Sequence, residues 1–276
     1  MKGLPGSDGP IRLKIDLAYV GDGFHGWQMQ RDHRTVQGEL ARACSRLLGR
    51  DVMPVGAGRT DRGVHARGQV AHLSVRTDNE AERMHGALSR VLPADVEVRG
   101  VNRVSPSFNA RRTAVSRRYS YNLLLGRDLF RPHSWQLSGG LDTAAMDRAC
   151  SDFMGSHVFA SFCKSSSLRD DGNVCAIDLC AFDWQDDSAI FHVRADRFLH
   201  HMVRNMVGTL VEIGQGSQGP DEIPAILAAM SRSRAGGMAP PEGLFLEEVR
   251  YPAHVLDPAW RDPDAPVAAH PEGDDP

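Results

Sequence analysis

Between residues 56 and 68 the chain places one carboxylate among three guanidinium groups and four glycines. The carboxylate is Asp61, and the arginines are Arg59, Arg62 and Arg67. An aspartate is ordinarily ionised at neutral pH, which suits a nucleophile or general base better than a proton donor. Glycines let the backbone approach a ligand closely, and guanidinium groups match phosphate and base edges. The segment indicates carboxylate chemistry beside a phosphate-bearing ligand; the alternative is a surface turn in which Asp61 accepts backbone hydrogen bonds.

The composition is that of a globular protein without membrane spans. The 276 residues suit one large domain or two smaller ones, and 41% are hydrophobic and 24% charged. No apolar run is long enough to cross a membrane, and the N-terminus lacks the apolar core of a signal peptide. The five cysteines include no C-x-x-C pair, which is typical of thiols in a reducing compartment. We therefore predict a cytoplasmic protein.

Charge is distributed unevenly along the chain. The net charge is −3, but the segment from Val255 onward carries six acids and one base, a net −5, which leaves +2 on residues 1–254. Between residues 111 and 131, six arginines face a single aspartate. Local patches determine the field that a polyanion experiences. A charge run is also typical of a solvated face, so on charge alone RNA contact and simple solvation are equally good interpretations.

Apolar periodicity predicts an α+β fold. Strands are predicted over residues 11–19, 70–75, 96–104, 119–125, 175–181, 189–195 and 244–250. Helices are predicted from Thr35 to Gly49, over residues 84–91, 146–153 and 197–213, and over residues 221–230. Residues 11–110 would form an N-terminal half that carries the Asp61 loop, and residues 111–251 a C-terminal half. Residues 1–10 and 252–276 are predicted to be disordered, the latter as an acidic tail, and residues 164–173 to form a mobile loop.

Five motifs, in order, resemble the tRNA pseudouridine synthase A family. The central one is GRTDRGVHA at residues 58–66, and the others lie at residues 19–30, 108–121, 198–208 and 242–246. The resemblance covers residues 11–251. It implies two ferredoxin-like halves that form one extended, mostly antiparallel sheet, with helices on one face and a central cleft. The serine-rich segment at residues 164–173 departs from the family, because it is shorter and keeps only Lys164 and Arg169 as basic residues.

The resemblance also implies an activity and roles for individual residues. The activity is isomerisation of uridine to pseudouridine in the anticodon stem-loop of tRNA, at tRNA positions 38, 39 and 40, by a homodimer that needs no cofactor. Asp61 would be the catalytic nucleophile acting on a flipped-out base. Tyr119 would stack on the uracil ring, Arg204 would pair with Asp61, and Leu244 would pack against the base from the other half. The predicted RNA-binding residues are Arg59, Arg62, Arg67, Arg111, Arg117 and Arg118.

Two other functions remain as alternatives. A non-catalytic RNA-binding module could use the same aromatic and arginine surfaces, but such a module has no need of an aspartate set among arginines. A metal-dependent phosphoryl-transfer enzyme would need a cluster of metal ligands. His200 and His201 are adjacent, and on the helix predicted there their side chains would point about 100° apart. The sequence therefore predicts no metal site.

Overall fold

The fold is built on one ten-stranded sheet. The computed structural model describes residues 9–164 and 172–261. The strands are β1 (Ile11–Tyr19), β2 (Val55–Gly56), β3 (His65–Val75), β4 (Val96–Val104), β5 (Ser116–Leu125), β6 (Trp135–Leu137), β7 (Gly155–Val158), β8 (Val174–Trp184), β9 (Ser188–Ala195) and β10 (Leu244–Arg250). The helices are α1 (Val36–Leu48), α2 (Asp78–Val91), α3 (Thr143–Ser151), α4 (Met202–Gly214), α5 (Ile223–Ala229) and α6 (Ala253–Leu256). The predicted α+β class is confirmed.

Strand β10 joins the two halves of the sheet. The strand order is β4-β1-β3-β10-β5-β9-β8-β7, with β2 beside β3 and β6 beside β5. β10 is parallel to β3 and antiparallel to β5, and β5 and β6 are also parallel, whereas the remaining pairs are antiparallel. The last of the described strands therefore pairs with the third and the fifth. The extended, mostly antiparallel sheet that the resemblance implied is confirmed.

Local sequence signals explain where the first helix begins and ends. The Thr35 side chain accepts a hydrogen bond from the amide of Gly38, which caps the first turn of α1. The helix ends at Gly49, which adopts a left-handed conformation with φ 66° that costs glycine little. Its buried face, which includes Val36, Leu40 and Cys44, packs on the sheet. The predicted bounds of this helix are thus confirmed.

Helices α1 to α5 pack on one face of the sheet, where their apolar residues join a single core that spans both halves. A smaller cluster lies on the opposite face and includes Val70, Phe108 and Val255. Val70 reaches that face because successive side chains along β3 alternate, and its neighbour Ala71 joins the main core. Helix α6, which contributes Val255, therefore lies on the face away from the other five helices.

The start of α4 differs from the prediction. The sequence predicts a helix from residue 197, whereas α4 begins at Met202 and His201 is left-handed with φ 67°. The carboxylate of Asp196 accepts hydrogen bonds from the amides of Arg197 (2.7 Å) and Ala176 (2.9 Å), which holds this segment as a loop. The apolar residues at 198 and 199 match helical spacing but belong to that loop. Periodicity alone cannot detect such a competing side-chain bond.

The segment after residue 252 also differs from its predicted disorder. Val255 is 4% exposed, and its carbonyl accepts a hydrogen bond from the amide of Ser105. The Ser105 hydroxyl donates to the carbonyl of Trp260 at 2.9 Å. Residues 252–261 thus pack on the second cluster through a few contacts too sparse to create apolar periodicity. The predictions for residues 1–8, 165–171 and 262–276 lie outside the described residues.

No helix within residues 9–164 and 172–261 is both long and apolar enough to cross a membrane.

Candidate active site

A cleft of about 970 Å³ is lined by residues from both halves of the chain. Asp61 and Arg59 come from the loop before β3, Tyr119 from β5, Arg204 from α4 and Leu244 from β10. Residues that are far apart in sequence therefore meet at one site. Its volume is at the upper end of the range for small-molecule sites.

Hydrogen bonds to the first half hold the loop of residues 57–64 that carries Asp61. The amide of Trp27 donates to the carbonyl of Thr60 at 3.0 Å, and the Thr60 hydroxyl lies 2.8 Å from that of Tyr19. Gln69 donates to the carbonyl of Gly58 at 3.0 Å. Gly26 has φ +88°, and a Cβ atom there would lie 2.6 Å from the Thr60 carbonyl oxygen. The backbone that leads into Asp61 is thus fixed.

Arg204 reaches Asp61 from the second half. Its Nη1 donates to Asp61 Oδ2 at 3.0 Å, while its Nε donates to the carbonyl of Ala239 at 2.8 Å. The Arg204 side chain is 9% exposed and that of Asp61 19%. A shielded pair of this kind fixes the rotamer of the carboxylate. The contact that the resemblance implied between these residues is present in the structure.

Both adjacent histidines also face Asp61, contrary to the geometric argument made from the sequence. His200 Nε2 lies 3.4 Å from Asp61 Oδ1, and His201 Nε2 lies 3.6 Å from Oδ2. A divergence of about 100° holds for adjacent residues on a helix. Both histidines precede α4, however, and the left-handed backbone of His201 turns the two rings to the same side. The pKa of His201 is lowered, mainly because burial disfavours the charged ring, and the nearby carboxylate of Asp61 only partly offsets this effect.

Tyr119 and Leu244 provide an apolar wall of the cleft. Tyr119 is 8% exposed and Leu244 5%, and the Tyr119 ring contacts Phe198 edge-on with centroids 5.1 Å apart. Burial raises the pKa of the Tyr119 phenol well above its usual range. The phenol therefore stays neutral, and its ring offers a face for stacking rather than an acid or base.

Among the described residues, seven arginines line the cleft together with two carboxylates, Asp61 and Asp196. The arginines are Arg59, Arg62, Arg111, Arg112, Arg117, Arg197 and Arg204. Arg197 and the two histidines were not among the predicted site residues, and only the motif at residues 198–208 pointed to their neighbourhood. This excess of positive charge makes the cleft attractive to a polyanion despite the net charge of −3.

Two of the predicted RNA-binding arginines lie outside the cleft lining. Arg67 pairs with Glu247, and its guanidinium carbon lies 4.1 Å from the centre of the Phe245 ring. Arg118 Nε lies 3.7 Å from Glu248 Oε2. These contacts tie β3 and β5 to the central strand β10. Arg67 and Arg118 therefore have a structural explanation that the sequence pattern did not reveal.

Arg117 lines the cleft, but backbone carbonyls accept its hydrogen bonds. Its guanidinium donates to the carbonyls of Asp196 (2.8 Å) and Arg111 (2.7 Å), and also to those of Ala57 and Ala114. It thus connects the Asp61 loop with two other loops of the cleft wall. The geometry assigns Arg117 a positioning role.

Comparison with known proteins gives the family. Residues 149–252 match the family model described as tRNA pseudouridine synthase. The chain is 47% identical over 245 residues to tRNA pseudouridine synthase A of Moorella thermoacetica, covering 87% of this chain and 99% of that protein. The protein of the same name from Acetivibrio thermocellus is 40% identical over 242 residues, with the same two coverages. The chain belongs to the tRNA pseudouridine synthase A family. Membership confirms the resemblance and the predicted class of enzyme, an isomerase.

The environment of the tyrosines in this family member leads to a pH prediction. Burial raises the pKa of Tyr19 to about 12, and it also raises that of Tyr119. The native protein should therefore show little tyrosinate absorbance at 295 nm between about pH 9 and 11, whereas the chain in urea titrates near pH 10. Because the pKa of Tyr19 is higher in the folded protein than in the unfolded chain, burial of its neutral phenol contributes to the free energy of unfolding. That contribution is complete below about pH 10 and is lost as the pH rises through about 12. Native titration near pH 10 would contradict this burial.

Proposed function

We propose that the chain isomerises uridine to pseudouridine in the anticodon stem-loop of tRNA, and that Asp61 begins the reaction. The observation that carries the proposal is the pairing of Asp61 with Arg204 in a cleft lined by seven arginines. The names of the relatives supply the substrate class, tRNA. The cleft supplies a carboxylate whose orientation is held by Arg204, next to groups that can bind phosphate.

The reaction needs a carboxylate and no redox partner. The N1–C1′ bond breaks, the freed uracil rotates, a C5–C1′ bond forms, and the proton on C5 is replaced by one on N1. Asp61 can start this sequence either by attack at C1′ or by removal of a proton from the sugar. Arg204 donates to one carboxylate oxygen, Oδ2. Oδ1, which lies 3.4 Å from His200 Nε2, is the oxygen that would face the nucleoside.

A flipped nucleotide fits the cleft better than a duplex does. Extrusion of a base costs a few kcal/mol of stacking, which contacts in the pocket must replace. The face of Tyr119 offers such a contact, since stacking of a base on an aromatic ring contributes about 1–3 kcal/mol. Leu244 approaches from β10 and can pack on the other side of the base. Arg59 is exposed at the cleft and can bind phosphate or fill the space that the base leaves.

The first test removes the charge of Asp61. The Asp61→Asn variant keeps the shape of the side chain but can neither attack C1′ nor accept a proton, so isomerisation should fall by more than a thousandfold, on the order of the loss of a nucleophile. Release of tritium from C5-labelled tRNA measures the reaction, and a filter-binding assay should show unchanged tRNA affinity. Activity within tenfold of the wild type would remove Asp61 from the mechanism. Unchanged binding without chemistry in the wild type would favour an RNA-binding module.

A second test separates the arginines of the cleft from those of the sheet. Each phosphate contact contributes about 0.9 to the slope of log K against log salt concentration. Arg59→Gln should lower that slope by nearly one unit. The matched control, Arg67→Gln, should leave it unchanged, because Arg67 is paired with Glu247 outside the cleft lining. Equal effects of the two substitutions would show that the cleft does not define the tRNA surface.

We also propose that two copies of the chain act together as a homodimer. One cleft of about 970 Å³ can hold a nucleotide, but an anticodon arm together with the tRNA body needs a wider basic surface. A symmetric pair of chains would place two arginine-lined clefts on one particle. Light scattering at micromolar concentration should give twice the mass of one chain. A monomeric mass that persists when tRNA is bound would contradict the dimer.

A further inference from the structure

Two imidazole rings are stacked on each other at the edge of the cleft. The ring centroids of His25 and His33 lie 4.1 Å apart, and the two ring planes differ by 13°. His25 lines the cleft, whereas His33 is exposed and lies outside the lining. One face of the His25 ring is therefore covered by His33, and a ligand in the cleft can approach the other face. The reaction proposed for Asp61 uses neither ring.

Hydrogen bonds within the loop of residues 25–34 hold the two rings together. The amide of His25 donates to the carbonyl of Arg34 at 2.9 Å, and the side-chain amide of Gln30 donates to the carbonyl of His25 at 3.1 Å. Gln30 also pairs with His33 in an isolated antiparallel bridge. The loop is thus closed by its own backbone and side-chain bonds, and the stack is built into it.

The segment around His25 is attached to the loop that carries the candidate nucleophile. The amide of Trp27 donates to the carbonyl of Thr60 at 3.0 Å, and the amide of Gly63 donates to the carbonyl of Phe24 at 3.4 Å. Residues on both sides of His25 are therefore bonded to that loop. The stacked rings keep a fixed position relative to the reacting carboxylate.

The ring of His25 favours its neutral form. Its pKa is lowered by partial burial and, in addition, by the nearby charges of His33 and Arg62. At about pH 7 the ring is therefore mainly uncharged. A neutral imidazole is an aromatic surface, and histidine is among the side chains on which unstacked bases pack in RNA-binding proteins.

Arg62 lies near both the carboxylate and the stacked rings. It follows Asp61 directly in the sequence, it lines the cleft, and its charge acts on the ring of His25. A guanidinium group at this position matches the oxygens of a phosphate. The phosphate that joins one nucleotide at Asp61 to a second nucleotide at His25 would lie within its reach.

The cleft has aromatic surfaces for two bases, one from each half of the chain. Tyr119, from the C-terminal half, packs on Phe198 and provides the surface proposed for the uracil. His25, from the N-terminal half, packs on His33. A volume of about 970 Å³ is at the upper end of the range for small-molecule sites, so the cleft has room beyond one flipped base.

We propose that the ring of His25, supported by His33, stacks on the base directly next to the flipped uridine, and that Arg62 binds the phosphate between the two nucleotides. The inference rests on the proposed function, because it takes the flipped uridine to lie at Asp61. Extrusion of a base removes a stacking partner from its neighbour. The ring of His25 replaces that partner, and such a contact typically changes affinity about fivefold or more.

The test measures equilibrium binding of RNA, so that it does not depend on the chemical role of Asp61. An anticodon stem-loop RNA with a single target uridine is compared with two RNAs that carry an abasic nucleotide directly 5′ or 3′ of that uridine. The wild type should bind one of the abasic RNAs about fivefold or more weakly than the intact RNA. His25→Ala should lose a similar factor with the intact RNA, but it should lose nothing further with that abasic RNA, because the two changes remove the same contact.

Two control variants show whether the ring itself makes the contact. His25→Phe keeps a flat ring and should bind the intact RNA within about twofold of the wild type. His254 also packs on an aromatic ring, that of Trp260, with centroids 4.5 Å apart, but it lies outside the cleft lining. His254→Ala should therefore bind every RNA as the wild type does.

Salt dependence separates stacking from phosphate binding. Stacking releases no counterions, so the slope of log K against log salt concentration should be the same in His25→Ala as in the wild type. Arg62→Gln should lower that slope by nearly one unit. A lowered slope in His25→Ala would show that the ring binds phosphate as a cation, and it would overturn the stacking contact.

The remaining outcomes separate this contact from the proposed function. Equal affinity of the wild type for the intact RNA and both abasic RNAs would overturn the contact, even if Asp61→Asn shows that Asp61 is catalytic. A loss in His25→Phe as large as in His25→Ala would also overturn it, because the residue would then act only through the shape of its loop. Coupling between His25 and one adjacent base, together with full activity of Asp61→Asn, would support the contact and reject the role proposed for Asp61.

Discussion

The ion pair between Asp61 and Arg204 constrains the whole molecule, because its partners lie 143 positions apart and belong to different halves. Each side is anchored separately. Backbone hydrogen bonds hold the loop of Asp61 on the first half, and Arg204 is bound to the carbonyl of Ala239 as well as to the carboxylate. A shielded pair is expensive to break, since the remaining charge would lack a partner. The pair therefore requires the two halves to keep one relative position.

Strand β10 holds the two halves in that relative position. It comes last in sequence, but it lies between β3 and β5, and so the sheet continues across the boundary between the halves. On the face opposite the main core, Phe245 stacks on His65 with centroids 4.6 Å apart, and Arg67 covers the same ring. β10 also approaches β3 closely, since a Cβ atom on Gly68 would lie 2.2 Å from the carbonyl oxygen of Glu247. These contacts align Leu244 with the cleft.

The arginines near β10 differ in what their charges do. Two carboxylates line the described part of the cleft beside seven arginines, whereas Arg67 and Arg118 lie outside it and are paired with glutamates of β10. The net charge of the chain, −3, therefore says little about the field at the site. Arg117 also lines the cleft, but its donors are used by the backbone carbonyls that shape the cleft wall. The sequence shows that these positions are positively charged, but it does not show whether each arginine faces the cleft, pairs with a glutamate or binds backbone carbonyls.

The sequence by itself determined the elements whose signals are local, and the motifs that point to the family. Helix α1 has its cap at Thr35 and its terminating glycine within one segment, and β1 alternates along its whole length, so both were predictable. The nearness of Asp61 to Arg204 came from the resemblance, not from any local rule. Only the tertiary structure decided the rest. Because the carboxylate of Asp196 accepts a hydrogen bond from the amide of Arg197, α4 begins several residues later than predicted. The left-handed backbone of His201 turns two adjacent imidazoles toward Asp61. Arg67 packs on Phe245 of β10 instead of lining the cleft. Asp196 also accepts a hydrogen bond from the amide of Ala176, 20 positions away, and the contacts of His201 with Asp61 and of Arg67 with Phe245 join residues still further apart. No periodic pattern in the sequence records the energies of such contacts.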